Sequence, residues 1–362
     1  MTALLMTGFP GFLGSALLGR VLARREGVRA VCLVQPQHLA EARSRLARIE
    51  ADQPHVVGRV ELVEGDITAP DLGVAEDLRE TLVDVTEVWH LAAVYDLTVP
   101  EAVARRVNVD GTARVLDFCR SRPAFERLQY VSTCYVSGRH AGTFAEDDLE
   151  VGQEFRNHYE STKYDAEVLV RLAMADGLPA TIYRPGIVVG DSRTGVTQKY
   201  DGPYFLAAFL RRQPPIAVVP AVGDADAVRF CLVPRDFVVD AMDALSVLDR
   251  SVGRTYALTD PHPPTVRELV TTFAAHLRKR VVWVPLPLGP TRALVSLPGM
   301  ERLLGIPAES LDYFASPTTY DTARTTADLD GTGVVCPSFG SYADRLLDYM
   351  AEHPEIDAAA MV

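Results

Sequence analysis

The stretch MTALLMTGFPGFLGSALLGRVLARR, residues 1–25, places three glycines three residues apart between an apolar run and a helical pattern. Residues 3–6 predict a short buried strand, and the apolar positions from Phe12 to Leu22 recur at helical spacing. A strand, a glycine turn and a helix in this order suit an anion, because the turn allows close approach and the helix N-terminus offers unpaired N–H groups. We therefore predict a dinucleotide diphosphate site here, with a plain structural turn as the alternative.

The composition is that of an ordinary globular protein. The chain has 362 residues, of which 48% are hydrophobic, and a formal net charge of −12. This length predicts roughly two domains. The negative charge argues against nucleic acid or an anionic membrane as a general partner, so an anionic ligand would need local positive groups.

Cysteine usage and hydropathy indicate a location. The five cysteines form no CxxC pair, which favours buried thiols over disulfides or a zinc site. His90 and His158 lack ligand spacing to another histidine or cysteine, so we expect no metal. We see neither a leader segment nor an apolar stretch of roughly 18 residues, and therefore expect no membrane span and a cytoplasmic location.

Apolar runs and helical patterns alternate along the first half of the chain. Helical patterns at 39–49 and 101–122 lie between these runs. Because parallel neighbours require crossover connections, the alternation predicts an α/β fold with a Rossmann-type, doubly wound parallel sheet. After the first strand, the predicted strands are 29–34, VELVEGDI (60–67), EVWHLAA (87–93), LQYVSTCYV (128–136) and ATIYRPGIVVG (180–190).

The alternation becomes less regular after residue 190. We predict a dinucleotide-binding domain over 1–190, to which 228–260 returns, and a smaller, mainly helical substrate domain built from the interleaved segments 191–227 and 261–362. Predicted features of this second domain are a helix at 204–212, a proline-rich link at 214–220, a helix capped by Thr265, and a pocket loop with a short helix in PLPLGPTRALVSLPGM (285–300).

The segment NHYESTKYDAE holds the candidate chemistry. Tyr159 and Lys163 are four residues apart, so they share one face of a helix. A neighbouring ammonium favours the phenolate, and we predict that Lys163 lowers the pKa of Tyr159 toward the range useful for acid–base catalysis. Thr133, with Ser132 beside it, follows a predicted strand and can hydrogen-bond a substrate oxygen. An amphipathic helix with an exposed lysine is the alternative.

Together these motifs resemble the extended short-chain dehydrogenases/reductases. The likeness covers about the first 260 residues. It rests on TGxxGxxG (Thr7, Gly8, Gly11, Gly14), GDI with Asp66, HLAA, VSTCYVSG, the pair Tyr159 and Lys163, RPGIVVG and VPRDFVVDAM. Within this family, CLVQPQHLAEARSRL, GDITAPDLG, HYESTKYDAE and YALTDPHPPTVRELV look most like the male-sterility branch, which includes fatty acyl-CoA reductases and thioester-reductase domains.

The resemblance implies roles for individual residues. Tyr159 would donate a proton to a carbonyl oxygen with Thr133 as its hydrogen-bonding partner, and Lys163 would hold the nicotinamide ribose. Asn108 would support the site, with a purely structural role as the alternative. The expected cofactor-binding residues are Thr7, Gly8, Gly11, Phe12, Leu13, Gly14, Gln35, Asp66, Ile67, Ala92, Ala93, Lys163, Pro185, Gly186, Ile187 and Val188.

The end of the second strand bears on the choice of cofactor. NAD-binding proteins generally place an acidic residue there, whereas this chain has Gln35. The absence of a carboxylate favours NADP(H), and NAD(H) remains the alternative. The male-sterility branch typically has an arginine at this position; Arg43 or Arg45 could replace it if the second helix turned one of them inward.

The resemblance implies a reductase that acts on an acyl thioester, an aldehyde or a ketone. A thioester would arrive on coenzyme A or a separate carrier protein, and a homodimer is left open. An apolar pocket or plain core are alternative environments for Tyr204, Phe205, Phe209, Tyr313 and Phe314.

Two other functions are alternatives to a reductase. A nucleotide-sugar epimerase or dehydratase would use the same residues, and a non-catalytic NAD(P)-sensing protein commonly lacks the tyrosine or lysine that are both present here. Two local predictions concern other parts of the chain. We predict that Cys134 packs away from the face of Thr133. Residues 146–148 are predicted to form a solvated acidic loop.

Overall fold

A seven-stranded parallel sheet forms the centre of the computed structural model, which describes residues 2–95, 98–221, 223–286, 289, 293, 295 and 308–356. The strand order is β11-β7-β5-β4-β1-β2-β3. The strands are β1 Ala3–Thr7, β2 Arg29–Val34, β3 Val60–Glu64, β4 Val85–His90, β5 Arg127–Val131, β6 Gly142–Phe144, β7 Ala180–Pro185, β8 Ile187–Val189, β9 Ile216–Ala221, β10 Leu232–Pro234, β11 Thr255–Leu258, β12 Arg280–Pro285 and β13 Thr318–Tyr320.

Helices cover both faces of this sheet. Side chains alternate along β1, so Leu4 and Met6 pack with α1 and α7, whereas Leu5 packs with α4 and α5 on the opposite face. This arrangement confirms the predicted Rossmann-type fold. The described α-helices are α1 Phe12–Arg24, α2 Leu39–Asp52, α3 Glu101–Ala104, α4 Gly111–Arg120, α5 His158–Ala175, α6 Pro203–Arg212, α7 Arg235–Ser246, α8 Val266–His276, α9 Ala323–Leu329 and α10 Ala343–Glu352.

Two predicted strands end earlier than expected. The strand predicted over 128–136 ends at Val131, because the Thr133 hydroxyl accepts from the Tyr135 amide at 3.2 Å and begins a short helical turn. The strand predicted over 180–190 is interrupted at Gly186, where a Cβ would lie 2.6 Å from the Cys231 carbonyl oxygen. The chain then leaves the large sheet and pairs with β10 through β8.

Further elements differ from the sequence predictions. The predicted helix 101–122 contains a π-helical segment at Arg105–Asp110 between α3 and α4. The predicted link at 214–220 is largely strand β9, which pairs with β12 more than sixty residues later. Thr265 caps α8 as predicted, and Glu268 completes a capping box. Most of the predicted pocket loop 285–300 lies outside the described residues.

A second apolar core packs α6, α8 and α10 together with the buried side of β9. The intervening segment from β10 to β11 returns to the large sheet, where β11 pairs with β7. The exact division into two domains stays a prediction. Within the described ranges, no helix has both the length and the apolar character needed to cross a bilayer.

The predicted solvated loop at 146–148 is wrong for Glu146. Its side chain is buried and accepts hydrogen bonds from the amides of Ala257 at 3.0 Å and Arg324 at 2.8 Å. Burial raises the pKa of Glu146, and these donors act in the opposite direction. The carboxylate therefore joins distant segments instead of facing water.

Candidate functional site

The turn after β1 has the geometry of an anion site. Gly8 has a φ of 87°, and a Cβ there would lie 2.8 Å from the Ala92 nitrogen, so only glycine fits without displacing the backbone. The Gly11 amide donates to the Gly8 carbonyl at 2.9 Å. Helix α1 has neither an acidic residue in its first turn nor a side-chain cap, so its first N–H groups can serve a ligand.

A cavity of about 1020 Å³ extends from this turn across the carboxyl ends of the parallel strands. This edge of the sheet is where open α/β folds place their ligands. The predicted residues that line it are Thr7, Gly8, Gly11, Phe12, Leu13, Gly14, Gln35, Ile67, Ala92, Ala93, Thr133, Tyr159, Lys163, Pro185, Gly186, Ile187 and Val188.

Two predicted residues do not line the cavity. Asp66 lies between two lining residues, but its carboxylate accepts from the Thr68 amide at 2.8 Å. The buried Asn108 side chain accepts from the Val94 amide at 2.9 Å and donates to the Thr162 hydroxyl at 3.0 Å. Asn108 thus joins the segment after β4 to helix α5, which carries Tyr159 and Lys163.

Tyr159 and Thr133 meet on the cavity wall, and their side chains are hydrogen-bonded. Burial raises the pKa of Tyr159 to about 12, although the bond with Thr133 acts in the opposite direction. The predicted lowering of this pKa by Lys163 is wrong for the described structure, because desolvation outweighs any effect of the ammonium. The phenol is therefore protonated at neutral pH and suited to proton donation.

Lys163 lies beneath the cavity and is only 3% exposed. Its ammonium donates to the Tyr130 hydroxyl at 3.0 Å and to the Val131 carbonyl at 2.8 Å. Burial lowers the pKa of Lys163 to about 7, with Glu167 acting in the opposite direction. An ammonium has three N–H donors; two have acceptors among the residues that the structure describes, which leaves the third for a ligand in the cavity.

A buried ion pair supports the segment that carries Thr133. Glu167, on the same helix as Lys163, contacts Arg184 at 2.6 Å and accepts from the Ser132 hydroxyl at 2.6 Å. Burial raises the pKa of this carboxyl, but the pairing with Arg184 outweighs it and leaves the pKa below its ordinary value. Ser132 and Thr133 both line the cavity, but the Ser132 hydroxyl donates its proton to Glu167.

The far end of the cavity is lined in part by residues that the sequence analysis did not predict. Gln37, His38 and Glu41 line it beside Gln35, and so does Arg45, whereas Arg43 does not. Arg45 is thus the arginine of the second helix that turns inward, so it could replace the arginine that is missing at the end of the second strand. Its nearest carboxylate is Glu41 at 3.7 Å. Helical periodicity places both arginines on α2 but does not say which one faces the sheet edge.

The apolar end is lined by only some of the predicted aromatic residues. Phe205, Tyr313 and Phe314 line the cavity. Tyr204 accepts from the Gly190 amide at 3.0 Å, and Phe209 packs in the second core, so both are structural.

Two lining residues have no motif that could have revealed them. These are Tyr95 and Lys199, whose ammonium lies 4.2 Å from the centre of the Tyr95 ring. The Cys134 thiol donates to the Arg184 carbonyl at 2.9 Å and does not line the cavity, as predicted, but it lies in the helical turn after β5 and not on the strand whose alternation was the basis of that prediction. Over the described residues, no group of three or more His, Cys, Asp or Glu side chains could hold a metal ion.

Comparisons with known proteins identify the family of the chain. The family model described as "Male sterility protein" matches residues 6–242. Isonitrile lipopeptide synthase of Streptomyces coeruleorubidus is 28% identical in an alignment 361 residues long that covers 92% of this chain and 23% of that protein. The L-2-aminoadipate reductase large subunit of Penicillium chrysogenum is 28% identical in an alignment 278 residues long that covers 71% of this chain and 19% of that protein. The chain thus spans less than a quarter of the length of either relative.

Solved structures place the fold more closely. The terminal R domain from the myxalamid PKS-NRPS biosynthetic pathway matches with a TM-score of 0.83 and 29% identity, over 99% of this chain and 93% of that domain. UDP-glucuronic acid 4-epimerase from Bacillus cereus, in complex with NAD, matches with a TM-score of 0.67 and 19% identity over 99% of both chains, a likeness of fold alone. The chain belongs to the male sterility family and is an NAD(P)-dependent oxidoreductase with the short-chain dehydrogenase/reductase fold.

Proposed function

We propose that this protein is an NADPH-dependent reductase of acyl thioesters. One observation carries the proposal: a single cavity joins the anion-binding turn, the trio Thr133, Tyr159 and Lys163, and an apolar end lined by Phe205 and Phe314. A long dinucleotide and an apolar acyl chain can therefore meet where a proton donor is held. The similarity to a reductase subunit and to a terminal R domain of a PKS-NRPS pathway supports a thioester substrate.

The reaction is a two-electron reduction. The cofactor would supply the hydride when bound. Tyr159, protonated at neutral pH and oriented by Thr133, donates a proton to the carbonyl oxygen, which gives a hemithioacetal. When the C–S bond of the hemithioacetal breaks, its hydroxyl gives up this proton and the leaving thiolate takes up a proton, so that one hydride and one proton convert the thioester into aldehyde and thiol. The third N–H of Lys163 would bind the ribose hydroxyls. The apolar walls exclude water from the acyl chain.

A panel of substrates tests this function. Purified protein is incubated with NADPH and acyl-CoAs, free aldehydes or ketones, while cofactor absorbance and released thiol are followed. We expect stoichiometric release of thiol and oxidation of NADPH with an acyl-CoA. Reduction of ketones without thiol release would contradict the thioester assignment. Conversion of a nucleotide sugar without net consumption of cofactor would instead favour the epimerase or dehydratase alternative.

We further propose that Arg45 supplies the preference for NADPH over NADH. It is the cationic side chain of α2 that lines the cavity near Gln35, and no acidic residue stands at position 35 to repel a 2′-phosphate. A hydrogen bond to a charged group contributes about 1.5–3 kcal/mol, so Arg45→Gln is expected to raise the Kd for NADPH roughly tenfold or more. The Kd for NADH should stay nearly constant.

Arg43→Gln is the matched control for this prediction. It removes the same charge from the same helix, but Arg43 does not line the cavity. Binding is measured by the fluorescence of the reduced cofactors at low and high salt, since long-range attraction is screened by salt. Equal losses in both variants would mean that only the general field of α2 matters and would contradict the assignment to Arg45.

A further inference from the structure

Tyr130 is buried beside the catalytic site, although it does not line the cavity. It lies on β5, one residue before the end of the strand, and its side chain is fully buried. Its hydroxyl accepts from the Lys163 ammonium at 3.0 Å, and the same nitrogen lies 4.6 Å from the centre of its ring. Both distances describe one contact, in which the ammonium lies at the hydroxyl edge of the Tyr130 ring.

The surroundings of Tyr130 are themselves held in place. Its ring packs 5.7 Å from the ring of His90, and the Thr112 hydroxyl nearby donates to the Asn108 carbonyl at 2.6 Å. Since the proton of Thr112 is used there, its oxygen accepts from His90 Nε2, which lies 3.0 Å away. Nδ1 of His90 then accepts from the Thr7 hydroxyl at 2.8 Å. Burial lowers the pKa of His90 to about 3, consistent with a neutral ring in this role.

This chain of contacts runs from Thr7, the first residue of the anion-binding motif, to Lys163. Its members lie on the adjacent strands β1, β4 and β5 and on helix α4, where burial and packing fix their rotamers. We infer that Tyr130 is a positioning residue: its hydroxyl holds the Lys163 ammonium in its charged form and aims its remaining N–H into the cavity. This inference rests on the role proposed for Lys163 in cofactor binding.

Neutral groups hold the Lys163 ammonium in place. The titratable groups that face it are Tyr159 and Glu167 on α5, Tyr130 on β5 and His90 on β4. Glu167 is already engaged by Arg184 and Ser132. Among the described residues the ammonium therefore has no dedicated carboxylate, and its direct acceptors there are the Tyr130 hydroxyl and the Val131 carbonyl.

Tyr130→Phe tests the inference, because it keeps the ring and removes the acceptor oxygen. The charged lysine loses stabilisation, so its pKa falls, by about one unit for a lost hydrogen bond to a charged group. NADPH binding that requires the charged ammonium weakens as the pH rises through the pKa of Lys163. In the variant this loss of affinity begins at a lower pH. The Kd for NADPH is therefore expected to rise about tenfold at pH 8 and less than about twofold at pH 5.5.

Tyr183→Phe is the matched control. Tyr183 lies on the neighbouring strand β7, is equally buried, and donates its hydroxyl proton to Gln129 at 2.8 Å on the other side of the sheet. Removal of that hydroxyl should lower the melting temperature without moving the pH profile of binding.

The binding titration uses the full chain and NADPH alone, without substrate. A pH midpoint equal in Tyr130→Phe and Tyr183→Phe, or a loss of affinity that is the same at every pH, would overturn the inference, because either result describes a structural role only. A failure of the proposed reductase function would be recognised separately, because the wild-type chain would then bind NADPH with the expected pH profile but would reduce no acyl-CoA.

Discussion

Tyr159→Phe is expected to lower kcat/KM for thioester reduction about 10²–10⁴-fold, the usual contribution of a positioned proton donor. Phenylalanine retains the ring that lines the cavity and loses only the hydroxyl that is hydrogen-bonded with Thr133. The Kd for NADPH should change by less than about twofold, because a transition-state contact and not a ground-state contact is removed. Stopped-flow absorbance and a fluorescence titration measure the two quantities separately.

The raised pKa of Tyr159 gives this prediction a pH dependence. With a pKa of about 12, the phenol stays protonated across the range in which the protein is stable, so activity in the reductive direction should not fall at mildly alkaline pH through loss of this proton. Any alkaline loss of activity should instead follow Lys163, whose pKa is about 7 in the unliganded site.

Tyr164→Phe is the control for the loss of a hydroxyl on this helix. Tyr164 lies on the same α5, and its ring packs 5.0 Å from that of Phe155 outside the cavity. Its substitution should leave both constants unchanged. If Tyr159→Phe retained more than about a tenth of the wild-type kcat, the hydroxyl would not be the proton donor, given the size of such contributions.

Gly8→Ala is the second substitution with a large expected effect. The methyl group would lie 2.8 Å from both the Ala92 nitrogen and the Leu91 carbonyl carbon, and the φ of 87° is unfavourable for alanine. The turn has to move, and displacement of a binding group by about 1 Å can cost on the order of 100-fold. We expect cofactor binding to weaken by at least this factor and the melting temperature to fall.

Gly27→Ala separates the steric clash from the backbone strain as causes of weaker cofactor binding. Gly27 has a similar φ of 72°, but a Cβ there would have no atom within 4 Å. It therefore carries the backbone strain of about 1–2 kcal/mol without the steric clash and lies away from the cavity. Its melting temperature should fall modestly, with an unchanged Kd for NADPH. Equal losses of affinity in both variants would mean that global destabilisation weakens binding.

The parts of the site that sequence predicted are local in the chain. The glycine turn and the Tyr159–Lys163 spacing are encoded within a few residues, and strand–helix alternation then places them at one sheet edge. Long-range partners were not accessible in this way. Strand β9 contains a proline and pairs with β12 far along the chain, so its sequence was interpreted as a link.

The electrostatics of the site were even less accessible. The spacing of Tyr159 and Lys163 indicates proximity, but the sign of the shift in a pKa depends on burial and on which groups take the available hydrogen bonds. Lys163 turns to Tyr130 on β5, thirty-three residues earlier in the chain. Likewise, Glu146 lies in an acidic run that is typical of a solvated loop, yet its carboxylate accepts hydrogen bonds from backbone amides of two distant segments.

The interruption at Gly186 has a consequence for dissecting the protein into fragments. The Gly186 amide donates to the Leu258 carbonyl and the Ile187 amide to the Cys231 carbonyl, so this wall of the cavity is supported by a strand on each side. The family match ends at residue 242, before β11. A fragment cut at that point would keep every predicted catalytic and cofactor-binding residue but leave β7 as an unprotected edge. The smallest autonomous unit must therefore extend at least through Leu258.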